Sequence, residues 1–186
     1  MMDLQRLHNS ANRGHSRRVS AISGLIAERA GYPKAESQII AQAAQFHDCG
    51  KSEIPAHVLY KPSILTPGEY GIIKAHTTIG YNLLNEAARI LTAAAFVAGH
   101  HHERMDGTGY HRFSGHEIHP YARLVACADV FDALYSRRAY KEPWDMAKIQ
   151  AFFMEQSGKQ FDPVMVYALS CVMDDVLTLY KNHDCR

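Results

Sequence analysis

Between Gly99 and His111 the sequence reads GHHHERMDGTGYH, placing three adjacent histidines, Glu103, Arg104 and Asp106 in thirteen positions. Such a density of titratable groups fits either a solvated loop or a metal-centred phosphate site. Other polar residues lie where helices would bury them. His15 precedes Val19 by one turn, His76 stands between Ile73 and Ile79, and His101 and His102 follow Val97 and Ala98 by one turn. Asp129 follows Val125 by a turn, and Asp132 extends that line to i+7. His47 and Asp48 end an apolar helical pattern, where side chains converge as the backbone leaves helical geometry. Charged groups on apolar stripes are costly unless they are paired or bind metal.

Singly, each residue has a simpler reading. His15 or His76 is a hydrogen-bonded core residue, Asp48 a turn residue, and Asp129 a partner for Arg123. Five inward histidines and two inward aspartates from five helices are harder to explain separately. Imidazole and carboxylate without thiolate suits Fe, Mn, Zn or Co, with iron or manganese the expected occupants. His15, His47, Asp48, His76, His101, His102 and Asp129 are too many ligands for one ion. If Asp48 bridges two divalent ions and a hydroxide bridges them again, about two positions stay open for a phosphoryl group.

The elements that must position these residues are helices. Val19, Ile22, Leu25 and Ile26 recur at helical spacing after His15 until Gly31 and Pro33 end the run. A second helix is expected from Ala35 to His47. A third starts at the capping box Thr66–Glu69, with proline in its first turn. A fourth is expected from about Glu86 to His101 and a fifth from Pro120. Two more open on Asp145 and Asp162, the last running through Val164, Val166, Leu169 and Val172 to pack inward or against a second copy. The fold expected is all-α, a single domain of about seven helices over residues 1–186, with its core at about 15–163 and a C-terminal helix at 164–186. Asp106, Gly107 and Gly109 read as a turn with positive φ, connecting two helices, gating a pocket or docking a protein partner.

Composition narrows the function classes. The chain has 186 residues, enough for one well-packed domain. A net charge of +1 gives no footprint for a nucleic-acid polymer or a membrane surface. Cys49, Cys127, Cys171 and Cys185 form no CxxC pair, which points to reduced thiols and a cytoplasmic location. The N-terminal stretch lacks the apolar run of a signal peptide, and ILTAAAFVAG is too short to span a bilayer.

Four ordered motifs resemble one family. FHDCGK is similar to HDxGK, IIKAHTTIG to the segment supplying the next histidine, HHERMDGTGY to HHExxDGxGYP, and ADVFDALYSRRAYK to DxxDAxxxxRxYx. These are marks of the HD superfamily of metal-dependent phosphohydrolases, in its HD-GYP branch. The resemblance implies a helical fold around a binuclear site and hydrolysis of cyclic di-GMP. It implies that His15, His47, Asp48, His76, His101, His102 and Asp129 hold two metals, with Asp48 and Lys51 at the reaction. Lys51 would face a substrate phosphate, and Tyr110, Asp132, Arg138 and Lys141 would line the nucleotide pocket, Arg138 by forking onto guanine or phosphate. A catalytically weak binding module, or a phosphohydrolase for another nucleotide, is the alternative.

The chain departs from the pattern in four places. His111 replaces the GYP proline, His100 adds a third histidine, and YSRRAY replaces TSDRPY. Ala11 stands where some relatives place a glutamate for a third metal, so two metals are expected.

Overall fold

The computed structural model describes residues 13–87, 91–136 and 142–183. Ala11, Arg138 and Lys141 lie outside them. Among the described residues there are nine α-helices and no strand, in accord with the all-α expectation. They are α1 (Arg13–Arg29), α2 (Lys34–Ala44), α3 (Ala56–Leu59), α4 (Pro67–Ala87), α5 (Thr92–His100), α6 (Pro120–Tyr135), α7 (Met146–Gln156), α8 (Pro163–Cys171) and α9 (Met173–His183).

Helix α6 is the centre of the core. Leu124, Val125, Cys127, Ala128 and Phe131 are wholly buried, on several faces at once. A helix apolar nearly all round must be covered on all sides, and α1, α5, α7 and α8 cover this one. Helix α1 contributes Val19, Ile22 and Ile26, all fully buried, each stabilising by about 1.5–3 kcal/mol on burial. Helices α2 and α5 close the opposite side. Asp129 and Asp132 therefore enter the protein on its most buried element.

The sequence signals for helix starts match the structure. Asp145 accepts the Lys148 N–H at 2.8 Å and Asp162 the Val164 N–H at 2.9 Å. Thr66 Oγ1 accepts from the Glu69 N–H, and Glu69 accepts from the Thr66 N–H at 2.8 Å, which closes the capping box. Two additional helices have separate causes. The 51–65 connection includes the single turn α3, anchored by buried Val58. The C-terminal segment is two helices bent by 60°. Val172 leaves helical geometry with φ −104° and ψ 13°, and the turn lets Val166, Leu169, Val172 and Val176 all reach the core. Val164 points outward. The boundary expected near Glu86 also moves: α4 continues to Ala87 and α5 begins at Thr92. Among the described residues no single helix is long and apolar enough to cross a membrane.

Candidate metal centre

The site forms where α1, α2, α4, α5 and α6 converge. Helix α2 stops at Ala44, and the chain turns through Phe46 and His47, with backbone bonds from His47 N–H to Ala44 and from Cys49 N–H to Phe46. Asp48 takes φ −101° and ψ 9°, which turns its carboxylate inward. A 3-10 turn, Cys49–Glu53, then lies directly on the backbone of α4. A Cβ on Gly50 would fall 2.0 Å from the His76 carbonyl oxygen and 2.6 Å from the Gly80 nitrogen. The glycine of HDxGK is thus what lets Asp48 approach His76.

Three imidazoles are oriented by their own helices. His47 Nδ1 donates to the Ala44 carbonyl at 2.8 Å, His76 Nδ1 to Ile73 at 2.7 Å, and His101 Nδ1 to Val97 and Ala98 at 3.1 and 3.0 Å. A carbonyl only accepts, so Nδ1 carries the proton and the Nε2 lone pair is free. All three Nε2 atoms are buried without a hydrogen-bond partner, as is Asp48 Oδ1. Four orphaned polar atoms converging in one interior would be strongly unfavourable unless something binds them.

Their arrangement divides into two sets sharing one carboxylate. Ligand atoms of Asp48, His76, His101 and His102 lie within 4.8 Å of one another, as do those of His15, His47 and Asp48. Asp48 Oδ1 is 3.4 Å from His76 Nε2 and 3.8 Å from His101 Nε2, while Oδ2 is 3.4 Å from His47 Nε2. Asp129 Oδ1 joins the second set, 3.2 Å from His15 Nε2 and 3.8 Å from His47 Nε2. These seven residues fit a pair of divalent cations by donor chemistry, and four of them, His47, Asp48, His76 and His101, present atoms with no hydrogen-bond partner.

The electrostatics follow from burial and from these contacts. Burial, then His102 and His47, holds His101 well below the ordinary imidazole value, keeping it neutral. Burial opposes ionisation of Asp48, yet His47, His76 and Lys51 outweigh it and hold its carboxyl well below the usual range. Burial likewise opposes the charge on His15, and Asp129 and Asp132, one on each ring nitrogen, lift it to about 9.

The remaining expected residues fall in different places. Lys51 Nζ donates to Asp48 Oδ2 at 2.6 Å. Tyr110 lies over the centre, its ring 4.6 Å from that of His102 and 6.3 Å from that of His76. Burial and the Tyr70 hydroxyl hold its phenol well above the ordinary value, so it stays neutral. Asp132 does not face the pocket. It is 1% exposed and accepts from His15 Nδ1 at 2.7 Å, Arg18 Nε at 2.6 Å, Ser136 Oγ at 3.1 Å and the Tyr180 hydroxyl at 2.5 Å. Its place is behind His15, fixing that ring as outer carboxylates do for metal-ligating histidines. Asp129 does not pair with Arg123, which binds Asp162 at 2.9 Å and the Ile118 carbonyl. His100 turns away from the cluster towards Phe113 and accepts from the His119 N–H.

Glu103 carries a function that its exposed-looking context in the sequence conceals. It is 3% exposed and accepts the N–H groups of His111 at 2.8 Å and Phe113 at 2.9 Å, so it holds the far end of the loop that bears Tyr110. A Cβ on Gly109 would fall 2.6 Å from Glu103 Cα. Gly109 is thus required for close approach, and the left-handed positions are Gly107 (φ 75°) and Arg112 (φ 64°) rather than Asp106 or Gly109. Arg104 binds Asp106 and Thr108 within the loop and reaches Gln160 at 2.9 Å, while the Asp106 N–H donates to Lys159. The loop is pinned to the turn between α7 and α8.

The HD domain family model matches residues 1–165, which include the whole centre. The chain belongs to the HD domain family. Its four ordered motifs place it in the HD-GYP branch. It is 47% identical over 154 residues to the cyclic di-GMP phosphodiesterase response regulator RpfG of Xanthomonas campestris pv. campestris, covering 82% of this chain and 41% of that protein. It is 36% identical over 167 residues to 3'3'-cGAMP-specific phosphodiesterase 2 of Vibrio cholerae, covering 89% of this chain and 32% of the relative. The chain thus spans less than half the length of these curated relatives. The crystal structure of the L. monocytogenes phosphodiesterase PgpH HD domain in complex with cyclic-di-AMP superposes with a TM-score of 0.66 at 19% identity, covering 98% and 97% of the two chains. That likeness shows the shared HD fold.

Proposed function

We propose that this domain is a metal-dependent phosphodiesterase that opens a cyclic dinucleotide, cyclic di-GMP foremost. The observation that carries the reading is the division of the Asp48 carboxylate, Oδ1 towards His76 and His101 and Oδ2 towards His47, each facing a buried, unpartnered Nε2. A bridging carboxylate between two histidine sets suits a pair of divalent ions, iron or manganese, held by His15, His47, Asp129 and Asp48 on one side and by Asp48, His76, His101 and His102 on the other. Bound there, such ions supply Lewis acidity to a phosphoryl oxygen and an activated water.

The chain's own residues do the rest. The three helix-bonded imidazoles present fixed lone pairs, so little reorganisation accompanies the reaction. Lys51 sits beside Asp48 with a cation that can turn to a phosphate oxygen as charge develops. Tyr110 covers the His102 side, where a base can rest against its ring. Arg138 and Lys141 keep the nucleotide-binding roles that the family pattern suggests. A cytoplasmic site of action, docking of a protein partner through the GYP-like loop, and association with a second copy belong to the same reading.

The names of the relatives support cyclic dinucleotides as the substrate class, and a cGAMP-specific relative at 36% identity favours 3'3'-cGAMP as a second substrate. The test is to load the purified protein with iron or manganese under anaerobic conditions, count metals per chain, and assay both dinucleotides by chromatography. About two metals with turnover, both lost in Asp48→Ala, is the expected result. Metal and nucleotide binding without cleavage would instead make the domain a binding module.

A further inference from the structure

Three lysines lie on or against α4, and two are neutralised. Lys51 is paired with Asp48 and Lys61 with Glu69. Lys74, two residues before His76 on α4, has no carboxylate within ion-pair distance among the described residues, although it is half-buried. It is held instead by aromatic faces. Its Nζ lies 4.9 Å from the ring centroid of Tyr110 and 5.9 Å from that of Tyr70, and the two rings meet edge to face at 6.1 Å. A cation over a tyrosine face gains attraction but keeps its charge. The result is an ordered, unneutralised ammonium one ring away from His102, because Tyr110 touches both. Tyr70 is 47% exposed, a large aromatic surface open at the same corner.

That combination suits an anion attached to a planar group. A cyclic dinucleotide carries two phosphodiesters, and the metal centre handles only one at a time. We propose that Lys74 is a substrate-binding residue for the phosphodiester that is not being cleaved, and that Tyr70, beside Tyr110, supplies the ring against which the adjoining base rests. The proposal rests on the cyclic dinucleotide reading above. Lys51 serves the reacting phosphate from the Asp48 side, and Lys74 serves the second from the Tyr110 side. Substrates with a single phosphodiester have nothing for Lys74 to hold.

The test compares cyclic di-GMP with bis(p-nitrophenyl) phosphate, which has one phosphodiester, on the metal-loaded protein. Lys74→Met keeps the stem that packs on the tyrosines and removes the charge. It is expected to raise KM for cyclic di-GMP roughly tenfold or more, the scale of one charge-assisted hydrogen bond. KM for bis(p-nitrophenyl) phosphate is expected to move by less than about twofold, so the ratio of the two effects is the readout. Lys74→Arg is expected to recover most of the loss, and Tyr70→Ala to raise KM for cyclic di-GMP alone. An equal rise on both substrates, a response on neither, or a fall in metals per chain would overturn the assignment of Lys74. Failure of the wild-type protein to turn over any cyclic dinucleotide would instead overturn the functional reading, and this assignment with it.

Discussion

His111 stands where the HD-GYP pattern has proline, and the structure gives that exchange an energetic meaning. Its backbone N–H is one of two donors to Glu103, a carboxylate only 3% exposed. Its side chain reaches Thr77 on α4. The Thr77 hydroxyl donates to the Lys74 carbonyl, so it accepts from His111 Nε2 at 2.8 Å. Replacing His111 with proline removes both bonds. A hydrogen bond to a charged group contributes about 1.5–3 kcal/mol and a neutral one about 0.5–1.5 kcal/mol. Stiffening the unfolded chain with proline returns about 0.4–1 kcal/mol. The net loss is about 2.5 kcal/mol, which for a chain of this size lowers Tm by about 5–10 °C. His111→Ala keeps the N–H and loses the Thr77 bond along with a loose ring contact to Phe113, about 1 kcal/mol or 2–4 °C. Thermal unfolding followed by circular dichroism on wild type and both variants measures the difference. If His111→Pro melts at or above His111→Ala, the backbone bond to Glu103 contributes nothing and the reasoning is wrong.

Other predictions follow from the remaining contacts. Asp132→Asn withdraws the charge that orients His15 from behind, so manganese affinity is expected to fall 10–100-fold at the ion held by His15, His47 and Asp129, and little at the other. Titration of the metal-depleted protein with manganese, followed by electron paramagnetic resonance, resolves the two; equal weakening at both would sink the assignment. On the outer surface, Lys61, with the Thr66 cap, holds Glu69 down to about 2 from an ordinary 4.5. A depressed carboxyl contributes stability that is present above its unfolded value and is lost as pH falls through the folded one. The Tm advantage of wild type over Glu69→Gln should be complete above about pH 5 and shrink steadily towards pH 2; an advantage that grew in acid would contradict the pairing.

Much of the site was legible because its inward-facing polar residues interrupt apolar stripes. His76 and His101 break the stripes of α4 and α5, and Asp129 breaks that of α6, so periodicity alone places them inward. Helix starts were legible where a cap is chemically specific, as at Thr66, Asp145 and Asp162. The break at Val172 was not, because neither glycine nor proline marks it; the bend exists so that apolar faces on both sides of it reach one core. The ends of α4 and α5 were misplaced for the same reason, since NEAARILTAAA is helix-forming throughout.

Periodicity says that a side chain points inward, and it is silent on whether that side chain arrives already satisfied. Asp129 and Asp132 show the difference, being one turn apart on α6 and both beside His15. Asp132 accepts from Arg18, Ser136 and Tyr180 as well as His15, so its lone pairs are spent within the fold and it acts through His15. Among the described residues, the ion-pair contacts of Asp129 Oδ1 are to imidazole Nε2 atoms, the same class of atom left unpartnered on His47, His76 and His101. The same test separates Lys51 from Lys74: one ammonium is already matched to Asp48, and the other still carries an unspent charge. Saturation of donors and acceptors distinguishes residues that build the centre from those left open for what it binds, and only three-dimensional contacts report it.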